Sequence, residues 1–226
     1  MTEVNYLESL NPLQYESVCS TEGPNLIIAG AGTGKTKVLT TRVAHIIDNN
    51  LAFPSQILCV TFTNKAAREM SERVQKLVSQ NMEKMPWMGT FHSIGAKIIR
   101  NHAEVIGLKQ SFTILDKDDQ LSLIKQIIKA ENLDQSQFSP KLIQSKIDHW
   151  KNKALNPNDI KSESLDNLVD EKSLSIYKIY QARLFEINCL DFGDLLLQCI
   201  NLFKVTDIHK RYSNNFKYIH VDEYQD

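Results

Sequence analysis

The spacing of hydrophobic positions changes along the chain, and the changes divide it into elements. Residues 25–29 (Asn-Leu-Ile-Ile-Ala) form a short, continuous apolar run of strand type. Over residues 35–48 the period lengthens, with Val38, Leu39, Val43, Ile46 and Ile47 recurring at helical spacing. Residues 56–62 (Gln-Ile-Leu-Cys-Val-Thr-Phe) read as a second buried strand. A helix from about Lys65 to Gln80 follows, with Ala66, Met70, Val74, Leu77 and Val78 on one face. Strand and helix in alternation predict a parallel sheet flanked by helices.

Beyond about Gly107 the pattern turns helical. Asp116 is placed to cap a helix with Asp119 at its third position, and Leu121, Ile124, Ile127 and Ile128 form its apolar stripe. Ser139-Pro140 opens another helix, with Leu142, Ile143, Ile147 and Trp150 expected to face inward. A polar loop over 152–166 and helices over about 173–187 and 192–203 complete a mostly helical block. Strand character returns at residues 216–221, Phe-Lys-Tyr-Ile-His-Val. The pattern contains no internal repeat and no low-complexity segment.

Composition narrows the classes. No run of eighteen apolar residues occurs, so no membrane span is expected. The first residues lack the basic-then-apolar order of a secretory signal. The four cysteines (Cys19, Cys59, Cys189, Cys199) form no C-x-x-C pair, and the six histidines show no metal-ligand spacing. A reduced, cytoplasmic setting is expected. Net charge is −1, with 10 basic and 9 acidic residues in 1–106, 12 and 12 in 107–190, and 4 and 6 in 191–226. Binding to nucleic acid would therefore use a local groove with placed contacts rather than a bulk field. His220, within an apolar strand, reads as a satisfied core histidine, and Trp87 and Trp150 as packing.

The chemistry concentrates at strand ends. Ala29-Gly30-Ala31-Gly32-Thr33-Gly34-Lys35-Thr36 lies between the first strand and the first long helix, with Ala29 where a glycine usually opens the pattern. Such a loop turns successive N–H groups and a helix N-terminus toward phosphate; Lys35 would reach the β/γ-phosphates and Thr36 would put its hydroxyl on Mg²⁺. Asp222-Glu223-Tyr224-Gln225-Asp226 follows the last strand. There Asp222 can hold the Mg²⁺ shell, from a strand expected beside the P-loop strand, and Glu223 can take a proton from water. Gln14 carries an amide that can read an adenine edge or simply sit at the surface. Thr61-Phe62-Thr63-Asn64-Lys65-Ala66-Ala67 and Gly89-Thr90-Phe91-His92-Ser93 each offer hydroxyls, an amide or imidazole, and an aromatic ring. They suit a grip on single-stranded nucleic acid, or equally strand-end capping with Phe62 and Phe91 in the core.

Taken in order, these motifs resemble those of the UvrD/Rep/PcrA group of superfamily 1A DNA helicases. The resemblance includes Asp191-Phe192-Gly193-Asp194-Leu195-Leu196 and covers essentially the whole chain, with Tyr224 where Phe is common. It implies an α/β fold: a RecA-like P-loop NTPase sheet flanked by helices, interrupted by a mostly helical insertion and C-terminally truncated. Residues 1–106 and 191–226 would form subdomain 1A, and 107–190 subdomain 1B. The resemblance implies ATP and Mg²⁺ as cofactors and 3′→5′ translocation on single-stranded DNA and at single-strand/duplex junctions, in repair or replication, by a monomer. Gln14 would read adenine, Ala29 to Thr36 bind the phosphates, Thr36 and Asp222 hold Mg²⁺, Glu223 act as base, and Gln225 couple the site to its neighbours. Thr61, Phe62, Thr63, Asn64, Thr90, Phe91 and His92 would line the DNA track. The second RecA-like domain, with its arginine, is not within these residues. The isolated chain is therefore expected to bind nucleotide but hydrolyse and unwind poorly. Other readings are a transporter or AAA-type P-loop ATPase, and a non-catalytic nucleotide- or DNA-binding remnant.

Overall fold

A computed structural model describes residues 6–30, 32–78, 85–161 and 168–225. The chain divides into two compact units, residues 1–94 with 210–226, and residues 95–209. No helix among the described residues is long and apolar enough to cross a membrane.

In the first unit, α1 (Pro12–Cys19) packs on α2 (Lys35–Asp48), and β1 (Ile57–Thr61) is the middle strand of a parallel sheet. β2 (Met88–Thr90) and β5 (Tyr218–Val221) flank it, with Thr61 opposite Thr90 and Val60 opposite Val221. The continuous apolar run of β1 suits a strand covered on both faces. Val43 and Ile46 of α2 and Met70 and Val74 of α3 (Asn64–Leu77) share one core with Ile57 and Cys59. Trp87 meets Tyr212 and Phe216 edge-on at 5.7 and 5.3 Å, so its packing role holds. The helix expected to reach Gln80 ends at Leu77; residues 79 and 80 lie outside the described residues.

Two expectations for this unit are overturned. Residues 25–29 form no strand. The side-chain amide of Asn25 donates to the carbonyls of Ser20, Glu22 and Gly23, and Leu26 and Ile28 beyond it are 72% and 88% exposed. Among the described residues the sheet runs β2-β1-β5, and this apolar run joins neither of its open edges. Asp222 therefore sits at the end of a strand beside β1, not beside a P-loop strand. His220 is buried, but among the described residues its Nε2 has no hydrogen-bond partner, so it is not a satisfied core histidine there. Burial, then the Arg42 charge, pulls its pKa down to about 4.

The second unit holds α4 (Phe91–Asn101) from Gly95 onward, α5 (Lys117–Ala130), α6 (Pro140–Asn152), α7 (Leu168–Glu186) and α8 (Phe192–Phe203), and the start of α9 (Thr206–Asn215) as far as His209. Asp116 caps α5 by accepting from the N–H groups of Asp118 and Asp119, as its position predicts. Ile124, Ile128, Ile143, Ile147, Tyr177 and Tyr180 form the core, and Trp150 stacks on Tyr177 at 5.9 Å. Leu142, expected inward, is 41% exposed, because the α6 stripe runs through Ile143 and Ile147 instead. A short parallel pair, β3 (Thr113–Leu115) with β4 (Cys189–Asp191), joins distant ends of the block.

The polar centre of this unit is Lys151, whose side chain is fully buried. Its Nζ lies 2.7 Å from Asp191 Oδ2 and 2.8 Å from Asp194 Oδ1. Tyr180 also donates to Asp191 Oδ2 at 2.8 Å, and Gln181 to Asp194 Oδ1 at 3.0 Å. Asp191 and Asp194 close a capping box at the start of α8. Burial raises the Asp194 carboxyl while Lys151 pulls it back. Gly193 leaves the room this needs: a β-carbon there would lie 2.9 Å from Lys151 Cδ. The cluster ties α6, α7, β4 and α8 together through charges that can reach no water.

Lys151→Met should therefore strand two buried carboxylates and cost about 3–5 kcal/mol in denaturant unfolding. Faster amide exchange over α6–α8 would locate the loss; a change below about 0.5 kcal/mol would contradict the buried network. His220 gives a pH dependence. Its folded pKa of about 4 lies below the ordinary 6.5, so the unfolded chain binds the proton more readily between those values. Its contribution is complete above pH 6.5 and is lost as pH falls toward 4, by about 3 kcal/mol at most. Unfolding midpoints of the wild type and His220→Phe measured across that window should diverge with this sign.

Candidate nucleotide site and strand-end surface

The loop before α2 is built on two left-handed glycines, Gly32 at φ +76° and Gly34 at φ +91°. A side chain would strain either position. Thr33 closes the turn by donating its hydroxyl to the Gly30 carbonyl at 2.7 Å. Gly34 is the N-cap of α2 and offers no side chain to the first-turn N–H groups of Lys35 and Thr36. An uncapped helix start following a glycine turn is suited to an anion, because its donors and dipole point the same way. Ala29 lies in the stretch without regular structure that leads in; Ala31 lies outside the described residues.

The acids at the end of β5 diverge. Asp222 extends the ladder by one bond, donating its N–H to the Val60 carbonyl at 2.9 Å. Its carboxylate is buried and accepts from the Thr61 hydroxyl at 3.4 Å. Glu223 has φ +50°, a left-handed conformation that costs a non-glycine residue about 1 kcal/mol. Its Oε2 lies 3.8 Å from Lys35 Nζ and accepts from Gln225 Nε2 at 2.6 Å. Lys35 at the α2 N-terminus thus faces Glu223, with Gln225 on the same carboxylate and Asp222 the preceding residue of the chain. Tyr224 is exposed, and Asp226 lies outside the described residues. Thr36 is half-buried and Asp222 buried; a hydroxyl and a carboxylate are the kinds of oxygen ligand that Mg²⁺ takes alongside substrate phosphates and water.

Gln14 joins this site through α1, a helix that the hydrophobic pattern did not predict. Asn11 and Gln14 form a reciprocal capping box: the Gln14 N–H donates to Asn11 Oδ1 at 2.9 Å, and the Asn11 N–H donates to Gln14 Oε1 at 3.1 Å. Gln14 Nε2 donates to the Thr33 carbonyl at 3.0 Å. These bonds fix the amide plane against the loop, and each leaves capacity over: a second N–H and a second lone pair. A β-carbon on Gly34 would lie 3.1 Å from that Nε2, so a glycine there admits the approach. Two α2 side chains hold α1 down. Lys37 Nζ donates to the Ser9 carbonyl at 2.6 Å, and the buried Arg42 guanidinium donates to the carbonyls of Ser17, Ser20 and Thr21. Sequence reasoning missed Arg42, although the signal was there: it continues the stripe of Val38 and Ile46 at i, i+4 spacing, where a charge is out of place.

The second surface lies at the carboxyl ends of β1 and β2. Thr61 and Thr90 are buried and paired, whereas Phe62 and Phe91 immediately after them are 63% and 41% exposed. The core reading of these two rings is overturned. The hydroxyls serve the backbone: Thr63 caps α3 by accepting from the Ala66 N–H, and Thr90 accepts from the Ser93 N–H. Asn64 is exposed at the start of α3, and His92 is half-buried, with its pKa lowered by burial. Two outward aromatic rings on adjacent strand ends form a surface on which flat rings can stack.

The chain matches the model of the UvrD/REP helicase N-terminal domain over residues 10–226. It is 47% identical over 221 residues to the ATP-dependent DNA helicase PcrA of Staphylococcus aureus (strain Mu50), covering 97% of this chain and 30% of that protein. It is 45% identical over 218 residues to the PcrA of Leuconostoc citreum, covering 96% and 29% respectively. The PcrA of Staphylococcus epidermidis is 45% identical over 221 residues, covering 97% and 30%. The chain thus spans under a third of the length of these curated relatives. Its glycine loop, strand-end acids and helix-borne glutamine all fall within the matched stretch, and the chain belongs to the UvrD/REP helicase family as its N-terminal domain.

Proposed function

We propose that this chain is the N-terminal motor portion of an ATP-driven helicase that moves 3′→5′ on single-stranded DNA and opens single-strand/duplex junctions. The observation that carries the reading is the double role of β1. The Thr61 hydroxyl bonds to the Asp222 carboxylate in the nucleotide site, while the next residue, Phe62, presents its ring to solvent. One strand end therefore carries both a bond to an acid of the nucleotide site and an exposed ring suited to base stacking.

ATP with Mg²⁺ supplies the phosphoanhydride and the charge that polarises it. The residues of the chain divide the remaining work. The amides from Gly30 to Thr36, including Ala31, and the Lys35 ammonium bind phosphate, with Ala29 leading into the loop. Thr36 and Asp222 hold the metal, and Gln14 reads the adenine edge with its spare N–H and lone pair. Lys35 lies beside Glu223 Oε2, and with its ammonium on a bound phosphate the Glu223 carboxylate would be left to accept a proton from water. Gln225, bonded to that same oxygen, senses the change. Phe62 and Phe91 stack on bases, and Thr61, Thr63, Asn64, Thr90 and His92 border the track. We assign residues 1–106 and 191–226 to subdomain 1A and 107–190 to the inserted 1B. The setting would be cytoplasmic DNA repair or replication, with the protein acting as a monomer. These 226 residues alone should bind nucleotide and turn it over slowly, since half of a two-domain ATP site lies elsewhere.

Two variants separate the two surfaces. Lys35→Ala should weaken Mg·ATP binding at least about 10-fold in calorimetric titration without altering binding of a fluorescent oligo-dT, as loss of a charge-assisted contact implies. Phe62→Ala should do the reverse, weakening oligo-dT about 10-fold by loss of one stacking platform. Unchanged oligo-dT binding in Phe62→Ala would favour a P-loop ATPase with no DNA track. Normal ATP binding in Lys35→Ala would remove the nucleotide site from this loop.

A further inference from the structure

α1 has eight residues, and Val18 is its one buried side chain. Leu13 and Tyr15 are 75% and 49% exposed. So short a helix does not persist by propensity, and one buried valine supplies little packing to hold it. Its C-terminal carbonyls are instead gathered by a single group. Arg42 Nη1 donates to the Ser17 carbonyl at 2.6 Å and to that of Ser20, and Nη2 donates to that of Thr21 at 3.2 Å. The guanidinium fork can meet several carbonyls at once, and a cation at a helix C-terminus also opposes the helix dipole. Arg42 is 7% exposed, and Tyr218 donates to Glu22 at 2.9 Å close by. The guanidinium is therefore largely screened from water, a setting in which such bonds are stronger. Gln14 lies one helical turn ahead of Ser17, and its amide approaches the loop within 3.0 Å of Thr33. Where α1 lies decides where that amide points.

We propose that Arg42 is a positioning residue for nucleobase recognition: by holding the end of α1 on α2, it sets Gln14 against the phosphate-binding loop. This rests on the assignment of Gln14 to adenine, and Arg42 itself touches no nucleotide. The reach is specific, because the phosphate-binding groups lie at the far, N-terminal end of α2, and the bond from Gln14 to the Thr33 carbonyl is the tie between α1 and their loop.

The test compares Mg·ATP with Mg·tripolyphosphate, which has the phosphates without the base, by calorimetric titration of the 226-residue chain. Wild type should prefer ATP. Arg42→Ala should lose about 10-fold of that preference, the worth of one bidentate base contact, with tripolyphosphate affinity unchanged. An equal fall for both ligands would make Arg42 a general structural residue and overturn the proposal. Arg42→Lys keeps the charge without the fork and guards against simple unfolding. It should lose part of the preference while amide exchange over residues 14–20 accelerates. Full preference in a variant whose α1 exchanges faster would also overturn it. A Gln14→Ala chain that keeps the wild-type preference would instead refute the adenine assignment itself, independently of Arg42.

Discussion

The parallel pairing of β1 with β2 and β5 is the constraint on which the site depends. Val60 opposite Val221 and Thr61 opposite Thr90 bring three strand ends to one edge of the sheet. The N–H of Asp222 adds one more bond, to Val60, before the chain turns at Glu223. A parallel strand slipped by one residue would turn every side chain to the opposite face. Asp222 would then leave Thr61, and Phe62 would exchange its exposure for burial. The chemistry is local, but the register that assembles it spans residues 57–221.

What the sequence made legible follows from which physics is local. The glycine loop, the Asp116 cap, the start of α6 at Pro140 and the bounds of α2 and α8 each depend on a few neighbouring residues, and each stands where spacing put it. The strand at residues 25–29 failed for the opposite reason. Its apolar run is real, but a strand is defined by a partner, and apolar periodicity carries no information about whether one is adjacent. Leu142 failed by one position on α6, within the ambiguity of a wide helical stripe. The site was legible in its residue types and not in its supports. Arg42 stands out in sequence only as a charge on an apolar stripe and Lys151 as one charge among many, and only the fold brings three carbonyls to the first and two carboxylates to the second.

Burial separates the charges that build the fold from those available for chemistry. Lys151 and Lys35 each face carboxylates at a helix terminus. Lys151 is fully buried, its partners at 2.7 and 2.8 Å are themselves almost wholly enclosed, and releasing it would leave uncompensated charge in a low-dielectric interior. Lys35 is 36% exposed, Glu223 is 38% exposed, and the separation is 3.8 Å. A pair of that kind is worth at most about 1 kcal/mol, since water takes over for either partner. Either partner can therefore exchange the other for water or another polar group at little cost. The loose bridge and the strained Glu223 backbone thus belong to one arrangement, a contact held only firmly enough to aim the two groups until a better partner arrives.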